Sequence, residues 1–288
     1  MRILIVGSDT SLGEVLLDFF LLQGRHSIKN LLQDECRWKS ERQTKKALSR
    51  ASCDLVVDAR IVASTEVGET LFDIDISRTL WLAKASHRGG VGYLYLSSSR
   101  VFSGTVGRLY TEDDYPDSED SLGELLLRSE TAIRDSCERH VILRIGPVIS
   151  NHPTSILTQR LAQIVHGGKL VLNSNERGAP VLAEDAARVV SALADQLSTK
   201  ADLWGIYHYC GSEITNAYEF AELVLASATQ FTGSTSGLVE LEKHVEPNEQ
   251  LNRSLDCTKI RNTFAIKQEP WRRAIAGLVT HYFHNQQQ

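Results

Sequence analysis

Nowhere among the 288 residues is there a run of about 18 apolar side chains, the length needed to cross a lipid core, which argues against a transmembrane helix. The opening MRILIVGSD runs directly into a strand pattern, with no extended apolar stretch and no small-residue cleavage site. A signal peptide is therefore not expected, and the chain reads as cytoplasmic. A basic excess is also missing. The 31 Lys and Arg are outnumbered by 36 Asp and Glu, for a net charge of −5, and a phosphate backbone wants a basic face. Nucleic acid is not expected as a partner; the small clusters at Arg42 to Lys46 and Trp271-Arg272-Arg273 read as solvated helix faces. Cysteine is sparse: Cys36, Cys53, Cys137, Cys210 and Cys257 are odd in number, widely spaced and without a CxxC. Reduced thiols fit this better than a disulfide framework or a zinc site, and no metal is expected.

What is present is an alternation of short apolar runs with helical patterns. Arg2 to Val6 reads as a buried strand ending at Gly7. Gly7-Ser8-Asp9-Thr10-Ser11-Leu12-Gly13 leads into a helix through Val15, Leu16, Phe19, Phe20 and Leu22. Strand, glycine turn and helix N-terminus together can hold a pyrophosphate on backbone N–H groups, so Gly7, Thr10, Ser11, Leu12 and Gly13 are candidate cofactor residues. Thr10 stands where a middle glycine is usual, and its Cβ and hydroxyl are expected to crowd a dinucleotide. The second strand, around His26 to Leu32, ends in Asn30-Leu31-Leu32-Gln33 with Asp34 late. Neither an acid for a ribose 2′-OH nor an arginine for a 2′-phosphate is in place. Residues 35 to 50 are charged and mostly helix-like. Leu55-Val56-Val57 runs into Asp58-Ala59-Arg60, which adds three candidates beside the cofactor channel.

Thr70 to Arg88 predicts a helix closed by Gly89 and Gly90, and Tyr93 to Leu96 a strand with Ser97-Ser98-Ser99 at its carboxyl end. In doubly wound sheets ligands sit at such ends. A helix over Leu122 to Glu138 and a strand over Val141 to Ile145 follow. The alternation predicts an α/β fold: a Rossmann-type doubly wound parallel sheet over residues 1–150, with 181–210 contributing, and a smaller carboxyl-terminal lobe over 151–288. Beyond residue 150 helices are expected near 155–165, 183–196, 217–226, 257–264 and 270–283 and short strands at 170–172 and 207–209. The stretch 230–252 reads as loop-rich.

Several separated pieces point to one family. Ser97-Ser98-Ser99-Arg100-Val101-Phe102-Ser103-Gly104 resembles the S-T-D-Y-V-F-D-G segment of dTDP-4-dehydrorhamnose reductases, and Tyr110-Thr111-Glu112-Asp113-Asp114 their Y-x-E-x-D. Gly178-Ala179-Pro180-Val181 is similar to G-x-P-T, and Gly205 to Gly211 to G-x-Y-H-x-x-G. Ser254 to Lys259 and Trp271-Arg272 resemble the terminal S-x-L-D-x-x-K and W-R. The matches are colinear over nearly the whole chain. The resemblance implies an extended short-chain dehydrogenase/reductase with NADP or NAD in the sheet domain and a substrate-binding lobe that closes over a nucleotide sugar. By the same resemblance Ser99, Arg144, Pro180 and Arg253 are substrate-binding candidates. A homodimer, through the helices around residues 70–88 and 122–138, or a protein partner is a family-level expectation.

The family's chemistry uses Ser or Thr, Tyr and Lys, with the last two at the start of one helix. The tyrosine acts as acid, and the lysine lowers its pKa from the usual value near 10. Counting from Tyr110 and Glu112 places Leu122 at the tyrosine position and Leu126 at the lysine position. No lysine occurs between Lys84 and Lys169, so no shift of register restores the pair. Ser98 remains as the residual catalytic residue. Arg60 replaces a small residue; filling the nicotinamide pocket, holding a phosphate and lying on the surface all stand open for it. Asp75 replaces an asparagine. His208 reads as a structural strand histidine, and Glu112, Asp113 and Asp114 as a solvated acidic loop. The expectation is a catalytically degenerate sugar-nucleotide-binding protein with a binding, regulatory or scaffold role. The alternatives are an active NAD(P)H-dependent reductase or epimerase of nucleotide sugars, and a ligand-free interaction protein.

Overall fold

A computed structural model describes residues 1–61, 71–199, 202–232, 239–245 and 250–286. Six strands form one parallel sheet: β1 (Arg2–Val6), β2 (Ser27–Leu31), β3 (Leu55–Asp58), β4 (Gly92–Ser98), β5 (His140–Ile145) and β10 (Gly205–Tyr209), in the order β2-β1-β3-β4-β5-β10. Continuous apolar runs make this possible. Every residue of β3 and β4 is buried, whereas the edge strand β2 is mostly exposed. On one face α1 (Ser11–Gln23) packs on α6 (Ala183–Ser198). On the other, α2 (Glu41–Ala51), α3 (Asp73–Gly89) and α4 (Ser121–Ser136) pack in succession. Helices on both faces of a parallel sheet are the Rossmann arrangement, and the order reverses at β1, between β2 and β3.

The rest of the chain builds a second apolar cluster. Helices α5 (Ile156–His166), α7 (Ala217–Thr232) and α9 (Ile275–Asn285) bury Leu157, Leu161, Phe220, Val224 and Val279 around Trp271. The Trp271 indole N–H donates to the Glu213 carbonyl at 2.8 Å, so its one polar atom is satisfied in the core. Helix α8 (Thr258–Phe264) and the short strands β6 (Val148–Ile149), β8 (Glu176–Gly178), β9 (Val181–Leu182), β11 (Thr215–Asn216) and β13 (Leu251–Asn252) join this lobe to the sheet.

Two elements differ from the sequence expectation. The stretch 230–252 is not loop throughout: Val239–His244 is a strand, β12, in parallel register with β7 (Gly168–Asn173). Val239 and Leu241 alternate with charged residues, the period-two signature of a half-exposed strand. The helix expected from Thr70 begins at Asp73, where the Asp75 carboxylate accepts from Phe72 N–H at 3.1 Å; Thr70 lies outside the described residues. Gly90, at φ +64°, supplies the left-handed residue that ends it.

Candidate functional site

The carboxyl ends of the strands present two places for a ligand. The first is the crevice between β1 and β3. Gly7 adopts φ +78°, and a Cβ on Gly13 would lie 2.0 Å from the Gly7 carbonyl oxygen, so both positions require glycine. Thr10 does not project into the crevice as expected. Its side chain is turned beneath the loop, where Oγ1 accepts from Gly13 N–H at 3.0 Å and lies 2.9 Å from Gly7 O and 3.2 Å from Ala59 O. The N-cap of α1 is thus made by the chain itself, and the loops after β1 and β3 are joined by Thr10. Ser11, Leu12 and Gly13 are buried behind it. At the end of β2, Asn30 donates to Ser8 Oγ at 2.9 Å and Gln33 N–H to Asp9 at 2.7 Å, which uses these groups to hold the loop.

Arg60 is no surface residue. Only 7 % exposed, it makes two bonds to Asp58 at 2.9 and 2.7 Å and one to Thr79 at 3.2 Å, and lies over the Trp38 ring. Tyr93 donates to the same carboxylate at 2.6 Å. Burial opposes the guanidinium charge, but Asp58 outweighs it and the Arg60 pKa is raised. Burial also pushes the nearby Cys36 thiol up to about 12. The Arg60 charge is matched internally by Asp58. Among the described residues this crevice keeps the glycine turn and helix N-terminus of a dinucleotide site, while the side chains of Asn30, Asp58 and Arg60 around it are bonded to the protein itself.

The second place is a cleft of about 340 Å³ between the end of β4 and the lobe, a volume in the range of small-ligand sites. Ser98, Ser99, Pro180 and Arg253, four of the sequence candidates, line it together. Among the lining residues not foreseen as site residues are Arg100, Arg160, Arg177 and Phe220. Four guanidinium groups face one lining carboxylate, Glu176. Arg253 pairs with Glu176 and donates to the Phe102 carbonyl at 2.7 Å, and Arg177 reaches Glu219 at 3.5 Å. Arg160 has no carboxylate partner among the described residues; burial lowers its pKa, and its Nε is sealed without an acceptor. The Arg253 segment is laced to the loop after β4. Asn252 N–H donates to Gly104 O at 2.7 Å, Tyr110 N–H to Ser254 O at 3.0 Å and Asp256 N–H to Tyr110 O at 2.7 Å. Among the described residues no cluster of three or more His, Cys, Asp or Glu could hold a metal.

The expected role of Arg144 is corrected. It is 2 % exposed, does not line the cleft, and holds Glu130 with bonds at 3.0 and 2.7 Å; Glu130 also accepts from Ser97 Oγ at 2.6 Å. Arg144 further donates toward His208 Nε2 at 3.3 Å, while His208 Nδ1 faces the Tyr110 carbonyl at 3.0 Å. This is a ligand-independent ionic core. Leu126 is fully buried in the main apolar core and Leu122 packs against its rim. Between them Gly123 is pressed so close to Ser118 and the Arg100 carbonyl that no Cβ fits there.

Burial, and then the Arg144 charge, depress the His208 pKa from 6.5 to about 3. The unfolded chain thus takes up a proton that the fold refuses, so the neutral imidazole contributes stability that is complete above about pH 6.5 and lost as pH falls toward 3. Urea unfolding over that range is expected to lose up to about 1.4 kcal/mol per pH unit from this residue. His208→Gln should flatten the slope; an identical slope in the variant would refute the assignment.

A family model described as the RmlD substrate binding domain matches residues 1–283. The chain is 26% identical over 238 residues to a dTDP-4-dehydrorhamnose reductase of Sinorhizobium fredii, covering 80% of each protein. It is 27% identical over 195 residues to the methionine adenosyltransferase 2 subunit beta of Xenopus laevis, covering 66% of this chain and 58% of that one. Its fold matches the dTDP-4-dehydrorhamnose reductase of Bacillus anthracis in complex with NADP at a TM-score of 0.79 and 15% identity, over 97% of this chain and 98% of the other.

Proposed function

Since the chain belongs to the RmlD substrate binding domain family, we propose that it is a dTDP-4-dehydrorhamnose reductase-like protein that binds a nucleotide sugar without reducing it. The observation that carries this reading is the pairing of an arginine-lined cleft with leucine at 122 and 126. Arg160, Arg177 and Arg253 supply the charge-assisted donors that a diphosphate needs, Phe220 supplies an apolar wall, and Ser98 and Ser99 offer hydroxyls to the sugar. Among the described residues that line the cleft with Ser98 there is no tyrosine or lysine.

NADP or NAD is the cofactor that the family fold implies; Thr10 is turned out of the crevice, and it is the buried Arg60, paired with Asp58, that argues for weak binding of either. A second reading, a subunit that acts through a protein partner, is favoured by the likeness to a protein named as a subunit. Isothermal titration with dTDP-glucose, UDP-glucose, NADPH and NADH separates the readings. Micromolar binding of a nucleotide sugar is expected, with little or no heat from either dinucleotide. Ser98→Ala should weaken sugar binding only several-fold, the worth of one neutral hydrogen bond (about 0.5–1.5 kcal/mol), and leave the binding role intact. Silence toward every nucleotide sugar would overturn the binding reading and leave the subunit reading.

A further inference from the structure

Resting on the binding reading above, we propose that Arg100, beside Ser98 and Ser99 at the end of β4, is a subsite for a carboxylate on the sugar. The ligand is then a nucleoside-diphosphate uronic acid and not a neutral hexose.

Three observations carry this. Arg100 lines the cleft next to the two serines at the end of β4, whereas Arg160 comes from α5. The diphosphate has its own donors on the lobe side, so the sheet-side guanidinium is left for the sugar end. Second, Arg100 is only loosely committed. Its side chain is 40% exposed, and the carboxylate it touches among the described residues is Asp120 at 3.2 Å. Asp120 already caps α4 by accepting from Gly123 N–H at 2.7 Å and lies 3.9 Å from Arg253. One carboxylate shared among a helix cap and two guanidinium groups leaves the terminal nitrogens of the Arg100 fork with donors to spare. Third, the segment it occupies, S-S-S-R-V-F, stands against S-T-D-Y-V-F in the resemblance: an acid has become Ser99 and a neutral ring has become Arg100. This edge of the cleft is two charges more positive, which suits a sugar carrying an anion.

The test is titration with matched pairs, UDP-glucose against UDP-glucuronate and dTDP-glucose against dTDP-glucuronate, on the wild type, Arg100→Gln and Arg100→Tyr. The uronate is expected to bind about tenfold or more tightly than the neutral sugar. Both variants should erase that preference and keep the neutral-sugar affinity; two variants, each checked for an unchanged melting curve, guard against a folding defect. Equal affinities in the wild type would overturn the proposal, as would an equal loss for both sugars in the variants, which would assign Arg100 to the diphosphate. No binding of any nucleotide sugar would remove the underlying reading and this one with it.

Discussion

Mixed with NADPH and a dTDP-4-dehydro sugar, the protein is expected to consume NADPH at least about 10²–10⁴-fold more slowly than the Sinorhizobium fredii reductase under the same conditions. That span is the usual loss when a positioned general acid is removed, and the missing cation enlarges it. On this reading the structural context makes a tyrosine and lysine hard to reinstate. Leu126 is wholly inside the apolar core, so a lysine there would have to bury an ammonium without a partner or swing out and disturb α4. Leu122→Tyr with Leu126→Lys is accordingly expected to lower the melting temperature and not to restore turnover. Loss of NADPH absorbance reads the rate directly. A wild-type rate within tenfold of the comparison enzyme would mean that another group donates the proton, and the degenerate reading would fall.

The second large effect is on stability. Glu130→Ala should cost about 3–5 kcal/mol of unfolding free energy in urea, because it strands a guanidinium in the core. Arg144 is 2 % exposed and Glu130 is 0 % exposed, so water cannot easily replace the lost carboxylate. The loss also orphans Ser97 Oγ. Glu130→Leu combined with Arg144→Met removes both charges and should be milder than Glu130→Ala alone, since neither ion is left uncompensated. If the double variant were the worse of the two, the pair would be stabilising in its own right and not merely self-compensating.

Much of the frame was legible in the sequence because it depends on local pattern. Apolar runs at 3–6, 55–57, 93–96 and 141–145 became the central strands, and Gly7 and Gly13 sit where backbone approach leaves no room for a Cβ. The cleft was half legible: Ser98, Ser99, Pro180 and Arg253 converge there, but Arg100, Arg160 and Arg177 come from three separate elements that only the folded chain brings together. Arg144 was misread for a related reason. Its partner Glu130 is 14 residues away and His208 is 64, and no periodicity announces a pair at such separations. Arg60 illustrates the opposite case, since its partner Asp58 is two residues away; what the sequence hid was that Tyr93 and Thr79 close over both.

The lacing of residues 252–256 to the loop after β4 has a consequence for how the protein comes into being on the ribosome. Arg253 and Phe102 are 151 residues apart in the chain. All six sheet strands have been synthesised by Tyr209, so the sheet can assemble while the last part of the chain is still inside the exit tunnel. The cleft cannot, because one of its walls has not yet emerged. On the binding reading, ligand capture is therefore acquired near the end of translation, because a chain stopped before Leu251 lacks the wall of the cleft that carries Arg253.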